Sequence, residues 1–158
     1  MFRATVFRVA GAVVLSAGLF PPPVATAQEP AGQDGNGIGG GGIQIELNRA
    51  SDNESGGCGL VVMTTNRLPQ GIRRAAWQMA IFDAEGVVKS LPVLDFGALS
   101  VGKHKIGIFQ IPDGGCDTIG RIIINDVAEC TAEDGGDLGP ACLSGLETRN
   151  RTDIEFGL

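Results

Sequence analysis

Residues 75–86 of the chain read AAWQMAIFDAEG. Large apolar side chains recur at every second position (Trp77, Met79 and Ile81), which is the spacing of a strand that buries one face. The next residues, DAEG, end in Gly86, which can take the positive φ that a hairpin turn requires. The stretch therefore predicts a strand that turns back on itself. A buried Trp in the third strand of the chain is typical of immunoglobulin-like sandwiches.

The same alternation recurs on both sides of this stretch, in short segments separated by turn signals and without an amphipathic helix. Pro92 within the fourth segment predicts an edge position. The pattern indicates an all-β protein, a seven-stranded antiparallel immunoglobulin-like sandwich. Its predicted strands cover residues 43–47, 60–65, 75–82, 87–94, 103–111, 119–127 and 152–156.

The beginning of the chain has the composition of an export signal. Arg3 and Arg8 precede an apolar run over residues 9–20, and Ala-Thr-Ala at 25–27 is the small-x-small pattern cut by signal peptidase, here before Gln28. The apolar run is shorter than the roughly 20 residues that span a bilayer. We therefore expect a cleaved signal peptide and a periplasmic or secreted mature protein.

Composition divides the chain into a signal peptide at 1–27, a Gly-rich flexible leader at 28–42, and a sandwich domain at 43–158 with a long loop at 128–152. Two of the 12 Lys and Arg residues belong to the signal, which leaves 10 against 18 Asp and Glu, a net charge of −8. This balance argues against nucleic acid and anionic membranes, which need a basic surface. We expect no membrane span in the mature protein.

The four cysteines allow three pairings. If consecutive strands alternate in direction, Cys58 at the start of the second strand meets Cys116 just past the end of the fifth. Cys130 and Cys142 then lie at the opposite pole. Because bridged Cα atoms lie within about 7 Å of each other, this geometry favours Cys58–Cys116 and Cys130–Cys142. The absence of a Cys-x-x-Cys motif argues for structural bridges over redox catalysis.

Other polar residues offer weaker signals. His104 is the single histidine and has no nucleophile motif nearby, so we expect a solvated imidazole with no catalytic role. Glu129, Glu133, Asp134 and Asp137 cluster near glycines, which leaves a calcium loop open, although a solvated acidic loop is the simpler interpretation. We expect no cofactor and no metal.

The sixth predicted strand has isoleucines on both faces, at 119, 122, 123 and 124. A sandwich strand is ordinarily polar on its outer face. Either segment 128–152 covers that face, or the face is an apolar patch for a protein partner. Under the second interpretation the candidate partner face comprises Ile122 and Ile124.

Several turns and core positions together resemble small extracytoplasmic domains of the FxLYD type. The matching segments are VVMTTN at 61–66, IFDAEGVV at 81–88, LSVGK at 99–103 and FQIP at 109–112. The chain also resembles an uncharacterised group of alphaproteobacterial exported proteins. The resemblance implies the sandwich fold and no particular chemistry. The four cysteines and segment 128–152 depart from the pattern.

These observations favour an exported, non-enzymatic module that binds a protein partner in the cell envelope or assists assembly there. The alternatives are a small hydrolytic or redox enzyme with an unrecognised site, and a purely structural envelope component. An unprotected edge strand or an apolar outer face would favour binding. A pocket of titratable groups around His104 would favour the enzyme.

We predict that the mature chain begins at Gln28, because the cleavage pattern directly follows the apolar run. The intact mass of exported protein, supported by N-terminal sequencing, checks this. Recovery of residues 1–27 on the exported protein would contradict the prediction.

Overall fold

The computed structural model describes residues 41–112 and 114–158, and these residues form two β-sheets with very little helix. The all-β prediction is confirmed. A 3-10 turn at Cys116–Thr118 and one short helix, α1 (Gly139–Ser144), interrupt the strands. The strands are β1 (Ile43–Asp52), β2 (Cys58–Asn66), β3 (Ile72–Phe82), β4 (Val88–Ser90), β5 (Val93–Leu99), β6 (His104–Ile111), β7 (Arg121–Ala132), β8 (Leu146–Asn150) and β9 (Glu155–Gly157).

The first sheet has the strand order β6-β2-β1-β8. The second has the order β4-β3-β7-β9, with β5 also paired to β3. Most neighbours are antiparallel, but β1 pairs with β8 and β7 pairs with β9 in parallel. The described residues therefore form nine strands in two mixed sheets, where the sequence predicts seven antiparallel strands.

Two local features account for the extra strands. The predicted strand at 87–94 divides at Leu91 and Pro92, and both parts, β4 and β5, pair along β3. Strand β8 has the sequence LETRN, which contains a single large apolar residue and hence no alternation to detect. It lies at the edge of the first sheet, where one side of a strand faces solvent.

Segment 128–152 is not a long loop, contrary to the prediction. It contains the end of β7, helix α1 and strand β8. The chain leaves the second sheet at Ala132 and enters the first sheet at Leu146, beside Ile43. The predicted signal peptide and the leader up to residue 40 lie outside the described residues.

Both sheets contribute to one apolar core. Ile45, Leu47 and Val62 face inward from the first sheet, and Trp77 and Met79 face inward from the second. These positions follow the period-two alternation in the sequence, because successive strand side chains point to opposite faces. Burial between the two layers is what holds the sheets together.

The predicted partner face at Ile122 and Ile124 is wrong. Ile122 is opposite Ile81, and Ile124 is opposite Met79, so both side chains face the core and are 1% and 5% exposed. Ile123 points outward and is half-buried. Ile122 and Ile124 therefore need no cover from segment 128–152, because they are accommodated between the sheets.

Both predicted disulfides are confirmed. Cys58 and Cys116 have Cα atoms 4.7 Å apart, and those of Cys130 and Cys142 are 6.5 Å apart. The first bridge ties the start of β2 to the 3-10 turn after β6. The second ties β7 to α1, so the two bridges restrain different parts of the sandwich.

We predict that the Cys58→Ala/Cys116→Ala protein is less stable than the Cys130→Ala/Cys142→Ala protein. The first bridge closes a sequence separation of 58 residues and the second one of 12. Chain entropy gives stabilisations of about 4 and about 3 kcal/mol respectively. Urea unfolding of the two variants and the wild type measures the difference, and the reverse order would contradict this account.

Candidate functional site

His104 lies at the start of β6, on the solvent side of the first sheet. Its Nδ1 is 2.7 Å from the Oγ1 of Thr65 on the neighbouring strand, and the ring is exposed. That contact is a cross-strand hydrogen bond. Among the described residues, no carboxylate forms an ion pair with His104.

The acidic residues after β7 form turns. The Asp134 carboxylate accepts the backbone N–H of Gly136 at 3.0 Å, and that of Asp137 accepts the N–H of Gly139 at 2.9 Å. Such local hydrogen bonds are the ordinary use of Asp in tight turns. Within residues 41–112 and 114–158, no group of three His, Cys, Asp or Glu side chains is placed to hold a metal ion.

Exposed apolar side chains occur near the edges of both sheets. Ile106 and Ile108 on β6 are 55% and 68% exposed, and Leu91 and Val93 at the β4–β5 edge are each 52% exposed. The end of β6 at Ile111 shares a pocket with Leu91, which places these two edges side by side. Val93 alternates with the buried Leu94, so it points to the outer face of the second sheet, whereas Ile106 and Ile108 point to the outer face of the first.

Strand β6 is an edge strand with an apolar outer face. It pairs with β2 alone, in a register that places Ile106 beside Met63 and Ile108 beside Val61. These four side chains share the outer face, and we call them the β6 stripe. Met63 and Val61 are half-buried, so the stripe becomes more exposed toward the free edge.

A groove of about 400 Å³ runs between β5 and β6, where no backbone pairing joins the two sheets. Its floor is aromatic. Phe96 makes edge contacts with Trp77 at 5.6 Å and with Phe109 at 4.9 Å between ring centroids. A Cβ on Gly107 would be 2.6 Å from the Phe109 ring, so the glycine is what allows that ring to lie across the strand.

Polar groups border this groove. The Lys105 ammonium donates a hydrogen bond to the carbonyl of Ala98 at 3.2 Å, which turns this side chain toward β5. Asp95 accepts hydrogen bonds from Arg74 at 2.8 and 3.0 Å. The hydrogen bond from Arg74, helped by the Gly97 N–H, lowers the pKa of the Asp95 carboxyl. Asp95 is therefore a fixed anion in the groove wall at neutral pH.

The other half of the outer face of the first sheet is polar and closed. Glu46 on β1 has a 3% exposed side chain, and it accepts hydrogen bonds from Arg151 at 2.7 Å and Asn48 at 2.9 Å. The Asn48 hydrogen bond is the main cause of a lowered pKa for Glu46; burial opposes it, and Arg151 adds to it. This network satisfies the buried charge, so the β6 stripe is the open half of the face.

Sequence reasoning missed the β6 stripe. The alternation of Ile106 and Ile108 is visible in HKIGIFQI, but Phe109 and Ile111 alternate in the opposite phase. Both faces therefore show apolar residues, and the pattern alone cannot identify the exposed one.

Within the described part of the chain, no helix is long and apolar enough to cross a membrane. No family model matches the sequence, and no curated protein matches it. Among solved structures, the chain is similar to IrmA from Escherichia coli, with a TM-score of 0.53 and 11% sequence identity. The similarity covers 72% of this chain and 95% of that one. At this identity the likeness concerns the fold alone.

We predict that Glu46→Gln lowers the free energy of unfolding by about 1–3 kcal/mol at neutral pH, because it removes a buried hydrogen-bonded charge. A carboxyl whose pKa is lowered by folding stabilises the fold above its ordinary pKa and loses that effect as the pH falls through the lowered value. The difference from wild type should therefore shrink in acid, as measured by urea unfolding at both pH values.

Glu147→Gln is the matched control for this prediction. Glu147 pairs with Arg67 at 3.0 Å on the same face, but its side chain is 50% exposed. Exposed pairs contribute at most about 1 kcal/mol. A Glu46→Gln effect that is no larger than the control, or that is equal at both pH values, would contradict the assigned network.

Proposed function

We propose that this protein is a non-enzymatic protein-binding or assembly-accessory module of the cell envelope, periplasmic or secreted, built on a variant of the immunoglobulin-like sandwich. Two disulfides are typical of an oxidising compartment and support export. The observation that carries the proposal is the free, eight-residue edge of β6 with Ile106 and Ile108 exposed beside it.

The proposed mode of binding is strand addition. An edge strand presents unpaired backbone N–H and C=O groups on one side, and an extended segment of another protein can complete the ladder. Side chains of the added strand would alternate between the outer face, beside Ile106 and Ile108, and the groove above Phe109. The backbone supplies affinity, and these two rows of contacts supply selectivity.

Comparison of the edges supports the choice of β6. Strand β5 pairs with β3 alone and is also an edge, but its pairing is interrupted by register shifts and it has the exposed Asp95. Strand β4 has three residues and is followed by Pro92, β9 also has three residues, and β8 has Glu147 and Arg149 on its outer face. Short length, proline and charge are the usual ways to prevent edge pairing. Along 106–111, strand β6 has neither proline nor a charged residue; Lys105, just before this stretch, turns toward β5.

We predict that the mature protein, immobilised at low density, selects peptides with apolar residues at alternate positions from a displayed library of random peptides. Ile108→Lys should weaken binding of the selected peptides by about tenfold or more. A tenfold change in affinity corresponds to the loss of a contact of roughly 1.4 kcal/mol. Fluorescence anisotropy with a labelled synthetic peptide measures the affinities.

The matched control is Leu143→Lys. Leu143 is an exposed apolar residue, at 49%, on α1, which precedes the opposite edge strand β8. Both substitutions are at the surface, so thermal midpoints should stay close to that of the wild type. Failure to enrich any extended apolar peptide, or equal loss in the control, would count against binding at β6.

A further inference from the structure

Strand β6 is complementary to a second copy of itself. Its sequence from residue 104 is HKIGIFQI, and Gly107 is flanked by an isoleucine on each side. An antiparallel pair centred on Gly107 therefore places the exposed isoleucines of the two copies opposite each other and the glycines opposite each other. We propose that two copies of the chain pair their β6 edges in this register, so that the first sheets join into one continuous sheet.

The outer face of this pair is apolar at its centre. Ile106 of each copy is opposite Ile108 of the other, because each lies one residue from Gly107, on opposite sides of the two-fold axis. Directly opposed side chains in antiparallel strands are about 5 Å apart, close enough for contact. The two most exposed residues of the stripe would cover each other, and His104 would be opposite Gln110 at both ends.

The groove side of the pair is equally well matched. Lys105 of each copy is opposite Phe109 of the other, where its aliphatic stem can pack against the half-buried ring and its ammonium group can approach the ring face. Gly107 is opposite Gly107, and the Phe109 ring of each copy lies beside this position on the groove side. A pair centred on Lys105 would instead oppose two ammonium groups, and one centred on Ile106 would place His104 opposite Ile108.

Charge also favours this edge over the rest of the surface. The mature chain has a net charge of −8, so two copies repel each other in most orientations. Residues 96–112 contain no Asp or Glu, and neither do residues 58–66 of β2. Asp95 and Lys105 both line the groove beside this edge, so the β6 edge has little of the net negative charge, and added salt should strengthen the pairing.

The inference goes beyond the proposed function and does not depend on it. A second copy and a partner strand use the same backbone groups, so each excludes the other. Pairing of two copies would protect the β6 edge from non-specific association until a partner strand that binds more tightly replaces the second copy.

Analytical ultracentrifugation of the mature protein over a wide concentration range tests the proposal. We expect a monomer–dimer equilibrium, at least tenfold weakening in Ile106→Lys, and no change in Leu143→Lys. A monomer at all concentrations, or a dimer that Ile106→Lys leaves intact, would overturn the proposal. The peptide selection uses protein immobilised at low density, so its result does not depend on whether the protein dimerises. Dimerisation through β6 and peptide binding at β6 can therefore be rejected separately.

Cysteine cross-linking tests the register. An equimolar mixture of Ile106→Cys and Ile108→Cys proteins should form a mixed disulfide faster than either protein alone, because these positions are directly opposite. Peptide mapping confirms that Cys58–Cys116 and Cys130–Cys142 remain intact. Faster bridging of Ile106→Cys, or of Ile108→Cys, with itself would indicate a pair centred elsewhere and contradict the Gly107 axis.

Discussion

The row of rings formed by Trp77, Phe96 and Phe109 closes the side of the sandwich between β5 and β6, because these rings pack across the gap between the two sheets. Trp77 is fully buried on β3, the strand that pairs with β4, β5 and β7. Phe96 on β5 contacts both other rings and so connects the centre of the second sheet to the free edge of the first. Edge-to-face contacts of this kind stabilise beyond the area that they bury.

The opposite side of the sandwich is closed by covalent and backbone means. The chain crosses from β7 to β8 through α1, and Cys130–Cys142 fixes that crossing. Strand β8 then pairs in parallel with β1, and it presents charged side chains to solvent. One side is therefore locked and protected from edge pairing. The other depends on side-chain packing and leaves a strand edge free, which is why the candidate site lies there.

The sequence predicts the features that depend on local pattern. It does not predict the features that depend on how strands pair in the folded protein. Alternation at Trp77, Met79 and Ile81 locates β3, and strand direction suffices to pair the cysteines. For Ile122 and Ile124 the sequence leaves a surface position open, because a run of isoleucines has no polar phase to orient it. Their burial follows from the register with Ile81 and Met79, which no local pattern contains. Strand β8 cannot be predicted from its sequence for the same reason, because its pairing with β1, and not its composition, makes it a strand.

Gly107 allows the core to close beside the free edge of β6. Without a Cβ at this position, the Phe109 ring can lie back across β6 toward Phe96 and seal the groove floor. The ring fills the space that a side chain at 107 would need, so an added strand would meet Phe109 on the groove side. Glycine ordinarily weakens a strand because it has no side chain to pack. Here its absence of bulk allows a neighbouring ring to pack, so a larger residue at 107 would displace Phe109 and open the core.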